Sequence, residues 1–106
     1  MSISYDYYRT FYYVAKYGNI TAAANALFLS QPTVSRCIQN LEQELGCQLF
    51  IRTKKGVLLT PEANLLYRYV SRAHRSLAQA EEELTETKAM SRGNLRIAAT
   101  EMTLQN

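Results

Sequence analysis

The chain has no tryptophan, a single histidine (His74), two cysteines, two prolines and four glycines in 106 residues. Each shortage excludes something. Two thiols, Cys37 and Cys47, are too few for a disulfide scaffold. One histidine, with no Cys-x-x-Cys or His-x-x-x-His pair, leaves no metal-ligand pattern. There is no Gly-rich phosphate loop and no paired carboxylates with an enclosing cleft pattern, so no enzyme chemistry is expected. No apolar run approaches about 18 residues, which excludes a transmembrane helix. The stretch Met1–Asp6 lacks the basic-then-apolar order of a signal peptide. The expectation is a cytoplasmic protein with reduced thiols, no metal, no cofactor within this chain and no membrane partner.

What is present is a globular composition, 47% apolar and 20% charged, with enough chain for one modest core. Charge is unevenly spread. Residues 1–60 hold six cations against three acids, and residues 61–80 add Arg68, Arg72 and Arg75 against Glu62 alone. Residues 81–106 reverse the balance, with Glu81, Glu82, Glu83, Glu86 and Glu101 against three cations. A basic front is compatible with a nucleic-acid partner, but so small an excess is weak until its position is known.

The pattern predicts a helix over 4–17, capped by Ser4 and ended by Gly18, with Tyr8, Phe11, Tyr12 and Ala15 on one buried face. Six of the eight tyrosines fall here, most simply as core and surface phenols. A second short helix is expected from a Thr21 cap to Leu27 or Phe28, its Ala22-Ala23-Ala24 run thin enough for another helix to cross closely. After a tight turn, Ser30 caps a third helix with Pro32 in its first turn, running to Leu45 before Gly46. Val34, Cys37, Ile38, Leu41 and Leu45 share its inward face. Pro32, Arg36, Gln39 and Gln43 share the outward one, flanked by Thr33, Ser35 and Asn40, with no acid before Glu42. Two short apolar runs around Thr53-Lys54-Lys55-Gly56 predict a β-hairpin with a basic tip.

Thr60-Pro61-Glu62 opens a long helix that meets no Gly or Pro before Gly93. Leu66, Val70, Ala73, Leu77, Ala80 and Leu84 recur at steps of four and three, a heptad seam. Its first turns, through Leu65, Leu66 and Tyr69, are expected to pack on the same chain. The remainder calls for a partner helix, hence a homodimer. Ser91–Asn94 reads as a linker and Leu95–Thr100 as a lone strand, which is not stable by itself.

Two short helices joined by a tight turn, the second with a bare polar N-terminal face, form a helix-turn-helix. Such a face meets base edges in the major groove. Ser30, Gln31, Pro32, Thr33, Ser35, Arg36 and Gln39 are the candidates. Arginine pairs bidentately with guanine, glutamine with adenine, and hydroxyls bond bases or phosphates. The basic hairpin tip, Lys54 and Lys55, would reach a phosphate or the adjacent minor groove. Two copies related by a two-fold axis would read an inverted repeat of double-stranded DNA.

Residues 9–60 resemble the DNA-binding domain of the LysR-type transcriptional regulators. The likeness is carried by Phe11-x-x-Val14-Ala15, Gly18-Asn19-Ile20-Thr21-x-Ala23-Ala24-x-x-Leu27 and Ser30-Gln31-Pro32-Thr33-Val34-Ser35-Arg36. It continues through Ile38-x-x-Leu41-Glu42-x-x-Leu45-Gly46-x-x-Leu49-Phe50, Arg52 and Leu59-Thr60, and Gly93–Ile97 resembles the first strand of that family's effector-binding domain. The resemblance implies a mainly α fold: a winged helix-turn-helix of three helices plus a β-hairpin wing, then a long dimerisation helix. It implies a division into 1–60 (DNA-binding domain), 61–90 (linker helix) and 91–106 (hinge and start of a truncated effector domain). It implies that Thr21 and Arg52 hold the phosphate backbone, and that Lys54 and Lys55 carry the wing to the minor groove. Asn19, Thr53 and Thr60 join that backbone set. Antiparallel helix pairing, a tetrameric full-length protein and a small-molecule effector for the absent domain are also implied. Asn19 stands where the family often has serine, Ala63 where it usually has glycine.

A protein-assembly module that never touches DNA uses the same heptad seam. The acid-free face around Arg36 and the basic wing favour DNA, because a protein-binding face more often exposes Leu, Phe or Tyr.

Overall fold

The computed structural model describes residues 3–93, with side chains through Lys88. Its elements are α1 (Tyr5–Tyr17), α2 (Ile20–Leu27), α3 (Gln31–Leu45), β1 (Phe50–Thr53), β2 (Gly56–Leu59) and α4 (Pro61–Gly93). The chain divides into two compact units, Met1–Arg72 and Ala73–Asn106, and α4 contributes to both. The fold is mainly helical with one antiparallel hairpin.

Caps set most of the helix ends. Ser4 Oγ accepts from the Asp6 N–H, and Gly18 closes α1 in the left-handed region at φ 67°. The buried face of α1 is Thr10, Phe11, Tyr12 and Val14; Tyr8 and Ala15, expected inside, are half-buried. Thr10 enters the core because its hydroxyl donates to the Asp6 carbonyl at 2.9 Å. The expected Thr21 cap is corrected to Asn19, whose Oδ1 accepts from the Ala22 N–H at 2.9 Å. Asn is the stronger cap, and it draws Ile20 and Thr21 into the first helical turn. α2 ends at Phe28, at φ 59°, and the Leu29 N–H returns to the Ala24 carbonyl at 2.9 Å. That closure makes the turn tight and leaves Phe28 94% exposed.

Ser30 caps α3 and Gly46 ends it, while Val34, Ile38 and Leu41 pack into a core with Phe11, Val14, Ala23, Ala24 and Leu49. Cys37 and Leu45 are half-buried at the margin. Glu42, at the far end of α3, reaches out of its helix. One carboxylate oxygen, Oε2, accepts from the Leu49 and Phe50 N–H groups at 2.7 and 3.2 Å, tying α3 to the start of β1. A charged acceptor on two amides is stronger than a neutral one. Glu42→Gln should therefore cost about 1 kcal/mol. The check is urea unfolding, in which the midpoint falls at unchanged slope.

In the hairpin Phe50 faces Leu59 and Thr53 faces Gly56, with Lys54-Lys55 as the turn. Phe50 stacks toward Phe11 in the core, at 5.3 Å between ring centroids. The Val57 N–H donates to the Gly18 carbonyl at 3.0 Å, which pins β2 to the turn between α1 and α2. Gly56 lies at φ 139°, and a Cβ there would strike the Gly18 carbonyl oxygen. Only glycine permits that approach.

Thr60 starts α4. Its N–H donates to the Leu49 carbonyl, and its hydroxyl lies 2.7 and 3.1 Å from the Gln48 and Leu49 carbonyls. The same oxygen accepts from the Ala63 N–H. This entry fixes the phase of the helix. Ala63, Val70 and Ser71 are buried, Leu66 and Tyr67 half-buried, and Tyr67 stacks on Tyr12 at 5.7 Å. The expected packing of Leu65 and Tyr69 is thereby corrected, since both are exposed. Leu66 packs on the core of its own unit, as expected of the first turns, and Val70, placed on the heptad seam, is buried in that core with it. The helix continues through Ser91 and Arg92 to Gly93, where a linker was expected, because neither residue breaks a helix and a glycine costs little in a last turn. The strand expected at Leu95–Thr100 lies outside the described residues.

In the second unit, Ala73, Leu77, Ala80 and Leu84 are exposed along α4. Gln79 donates to Glu83 one turn on, at 2.9 Å. Thr85 and Thr87 bond back to the Glu81 and Glu83 carbonyls. No helix among the described residues is long and apolar enough to cross a membrane.

Candidate nucleic-acid interface

Two surfaces stand out on the first unit. One is the outward face of α3. Gln31, Pro32, Arg36, Gln39 and Gln43 are exposed along it, and Thr33 and Ser35 are half-buried at its edges. The side chains of Gln31, Arg36 and Gln39 make no hydrogen bond within the described chain, so their donors and acceptors stay available. Ser30 and Thr33 differ: their hydroxyls bond each other at 2.8 Å, and Ser30 Oγ also accepts from the Thr33 N–H. Asn40 turns inward and donates to the Tyr7 phenol at 3.2 Å.

The second surface is a cleft of about 230 Å³ between the start of α2 and the hairpin. Asn19, Thr21, Arg52, Thr53, Lys54 and Lys55 all line it. The fold thus collects six of the seven residues assigned to backbone and wing, from two segments separated by some thirty positions. The cations face the first turn of α2, where unpaired N–H groups also favour an anion. Asn19 uses its carbonyl oxygen as a cap, which leaves its amide donors free. Thr53 shapes the tip: its hydroxyl donates to the Gly56 carbonyl and accepts from the Lys55 N–H. Thr60, the seventh, is corrected. It is buried, its hydroxyl is taken up by the Gln48 and Leu49 carbonyls and the Ala63 N–H, and it does not line the cleft.

The two surfaces touch. Arg52 Nη2 donates to Ser35 Oγ at 3.0 Å, joining the cleft to the α3 face. Sequence spacing gave no sign of this bond, which spans 17 positions. Nor did it single out Glu42, whose amide clamp holds the hairpin at the end of α3. Among the thiols, burial, with Glu62 and Glu42 nearby, pushes Cys47 upward, so it stays protonated at neutral pH.

A family model described as "Bacterial regulatory helix-turn-helix protein, lysR family" matches residues 5–64. The chain belongs to that family. It is 42% identical over 98 residues to the RuBisCO operon transcriptional regulator of Allochromatium vinosum, covering 92% of this chain and 32% of that protein. The chain therefore spans about a third of the length of this LysR-family relative. Among solved structures, the BenM_DBD/catB site 1 DNA complex is 35% identical, with a TM-score of 0.67, covering 89% of this chain and 99% of that one. The CbnR_DBD-DNA complex is 31% identical, also with a TM-score of 0.67, covering 81% of this chain and 98% of that one. The winged helix-turn-helix of LysR regulators is thus the fold of this chain.

Proposed function

We propose that this chain is the DNA-binding part of a dimeric LysR-type transcriptional regulator that reads an inverted-repeat operator. The observation that carries this is the adjacency of an acid-free polar helix face, Gln31 to Gln39, and a cationic cleft at the start of α2. A helix fits the major groove; a cationic cleft beside it suits the flanking phosphates. In this reading Gln31, Pro32, Thr33 and Arg36 meet base edges. Thr21, Asn19 and Arg52 grip the backbone, and Lys54 and Lys55 extend toward the minor groove. The DNA complexes formed by related domains support it. Pairing of two chains through Ala73, Leu77, Ala80 and Leu84 places two such faces on one duplex. As part of the same proposal, a small-molecule effector acts through a separate domain and the whole protein is a tetramer. The support for that is the family resemblance and the 32% share of a relative's length.

The test is selection of bound duplexes from a random pool, preceded by gel retardation of random duplex at low salt. Retardation at micromolar protein and recovery of a two-fold symmetric sequence are expected. No retardation would favour the protein-assembly alternative. Lys55→Ala should weaken all sequences alike and flatten the log–log salt slope by about one, because it removes one phosphate contact. Titration at several salt concentrations checks this.

A further inference from the structure

Ser35 and Arg52 look like members of two different functional sets. Ser35 lies on α3 one residue before Arg36, where the sequence pattern places base readers. Arg52 lies on β1 and lines the cleft with Thr21, Lys54 and Lys55. Yet the Ser35 hydroxyl accepts a hydrogen bond from Arg52 Nη2 at 3.0 Å. An exposed arginine ordinarily samples many rotamers, and ordering it costs entropy. A planar guanidinium fixed at one nitrogen has its remaining N–H groups fixed in direction too.

We propose that Ser35 is a positioning residue for Arg52, and not a base reader: it holds the guanidinium so that the remaining donors face a phosphate seated in the cleft. Three features of the fold support the assignment. The hairpin carrying Arg52 is itself anchored at Gly18, through the Val57 N–H, and at Glu42, through the Leu49 and Phe50 N–H groups. Ser35 is half-buried at the edge of the α3 face, whereas Gln31, Arg36 and Gln39 are exposed. The hydroxyl is already engaged before any nucleic acid arrives. The bridge sets the wing's grip in register with the reading helix, so losing it should weaken every duplex without changing which is preferred.

This inference rests on the DNA-binding proposal, and its test separates the two. The full chain is titrated against the selected duplex and a scrambled one by fluorescence anisotropy. Ser35→Ala should weaken both by about three- to ten-fold, leaving their ratio unchanged. Ser35→Thr, which keeps a hydroxyl, should restore binding. Because the two residues act through one bond, Ser35→Ala should have no further effect in an Arg52→Ala background. An unchanged unfolding midpoint for Ser35→Ala shows that the fold is intact. Loss confined to the selected duplex would make Ser35 a base reader and overturn the inference. So would a full additional loss on top of Arg52→Ala. If the unsubstituted chain binds neither duplex, the DNA-binding proposal itself falls, and the inference with it.

Discussion

Replacing Arg36 by alanine is expected to lower affinity for the selected duplex by roughly ten- to a hundred-fold, the ~1–3 kcal/mol of a bidentate base contact. Binding to a scrambled duplex should fall by much less, the share due to one lost charge near the phosphates. Arg36 is exposed, lies six residues beyond the Ser30 cap, and makes no hydrogen bond within the described chain. Nothing in the fold depends on it, so a loss of affinity cannot be traced to unfolding. Arg36→Lys sharpens the test. It keeps the charge and the long stem but gives up the planar fork, so general affinity should return while discrimination stays reduced. An unchanged ratio between selected and scrambled duplexes in Arg36→Ala would remove Arg36 from base reading. The contrast with Lys55→Ala is then informative in its own right. One substitution moves the ratio, the other the salt slope, and the two surfaces are told apart without a complex in hand.

Most element boundaries were legible because they depend on local chemistry. Ser4 and Gly18 bracket α1, Ser30 and Gly46 bracket α3, and Thr60-Pro61 opens α4, each through bonds spanning four residues or fewer. Gly56 marked the hairpin for the same reason. The errors arose where two residues competed or where packing decided. Asn19 and Thr21 are both plausible caps two positions apart, and the stronger one won. In α4 one heptad pattern serves two purposes, and only packing shows where the first ends and that Leu65 and Tyr69 face out. Leu66 and Val70 belong to the core through Thr60 and Ala63, whereas Leu77 and Leu84 do not. The family resemblance puts Thr60 among the backbone contacts, and only its hydrogen bonds to Gln48 and Leu49 turn it inward. The Ser35–Arg52 bridge and the Glu42 clamp are tertiary, set by how α3 and the hairpin meet. No single-segment pattern contains them. The cleft was legible as two halves: a polar start to α2 and a basic tip. Their convergence is a product of the Gly18–Val57 bond.

The double change Leu77→Glu with Leu84→Glu is expected to convert the protein to a monomer and to weaken binding to a two-half-site duplex by roughly a hundred-fold or more. The two leucines are 47% and 63% exposed on α4, with Ala73 and Ala80 between and before them on the same stripe. Among its described residues the second unit offers these side chains no cover. Leucines alternating with alanines let two helices approach closely, and burying both copies removes the apolar stripe from water. Glutamates at these positions would put four carboxylates on the shared seam, close to Glu81 and Glu83, so repulsion adds to the lost burial. Neither leucine contributes to the core of the first unit, and glutamate is a good helix former, so the reading unit should stay folded. Binding to a duplex with a single half-site should therefore be close to unchanged. That control distinguishes loss of pairing from loss of the interface. Light scattering gives the mass directly: a dimer that persists in the double variant would place the partner surface elsewhere. A monomer that still binds the two-half-site duplex at full strength would mean that pairing through α4 contributes nothing to recognition.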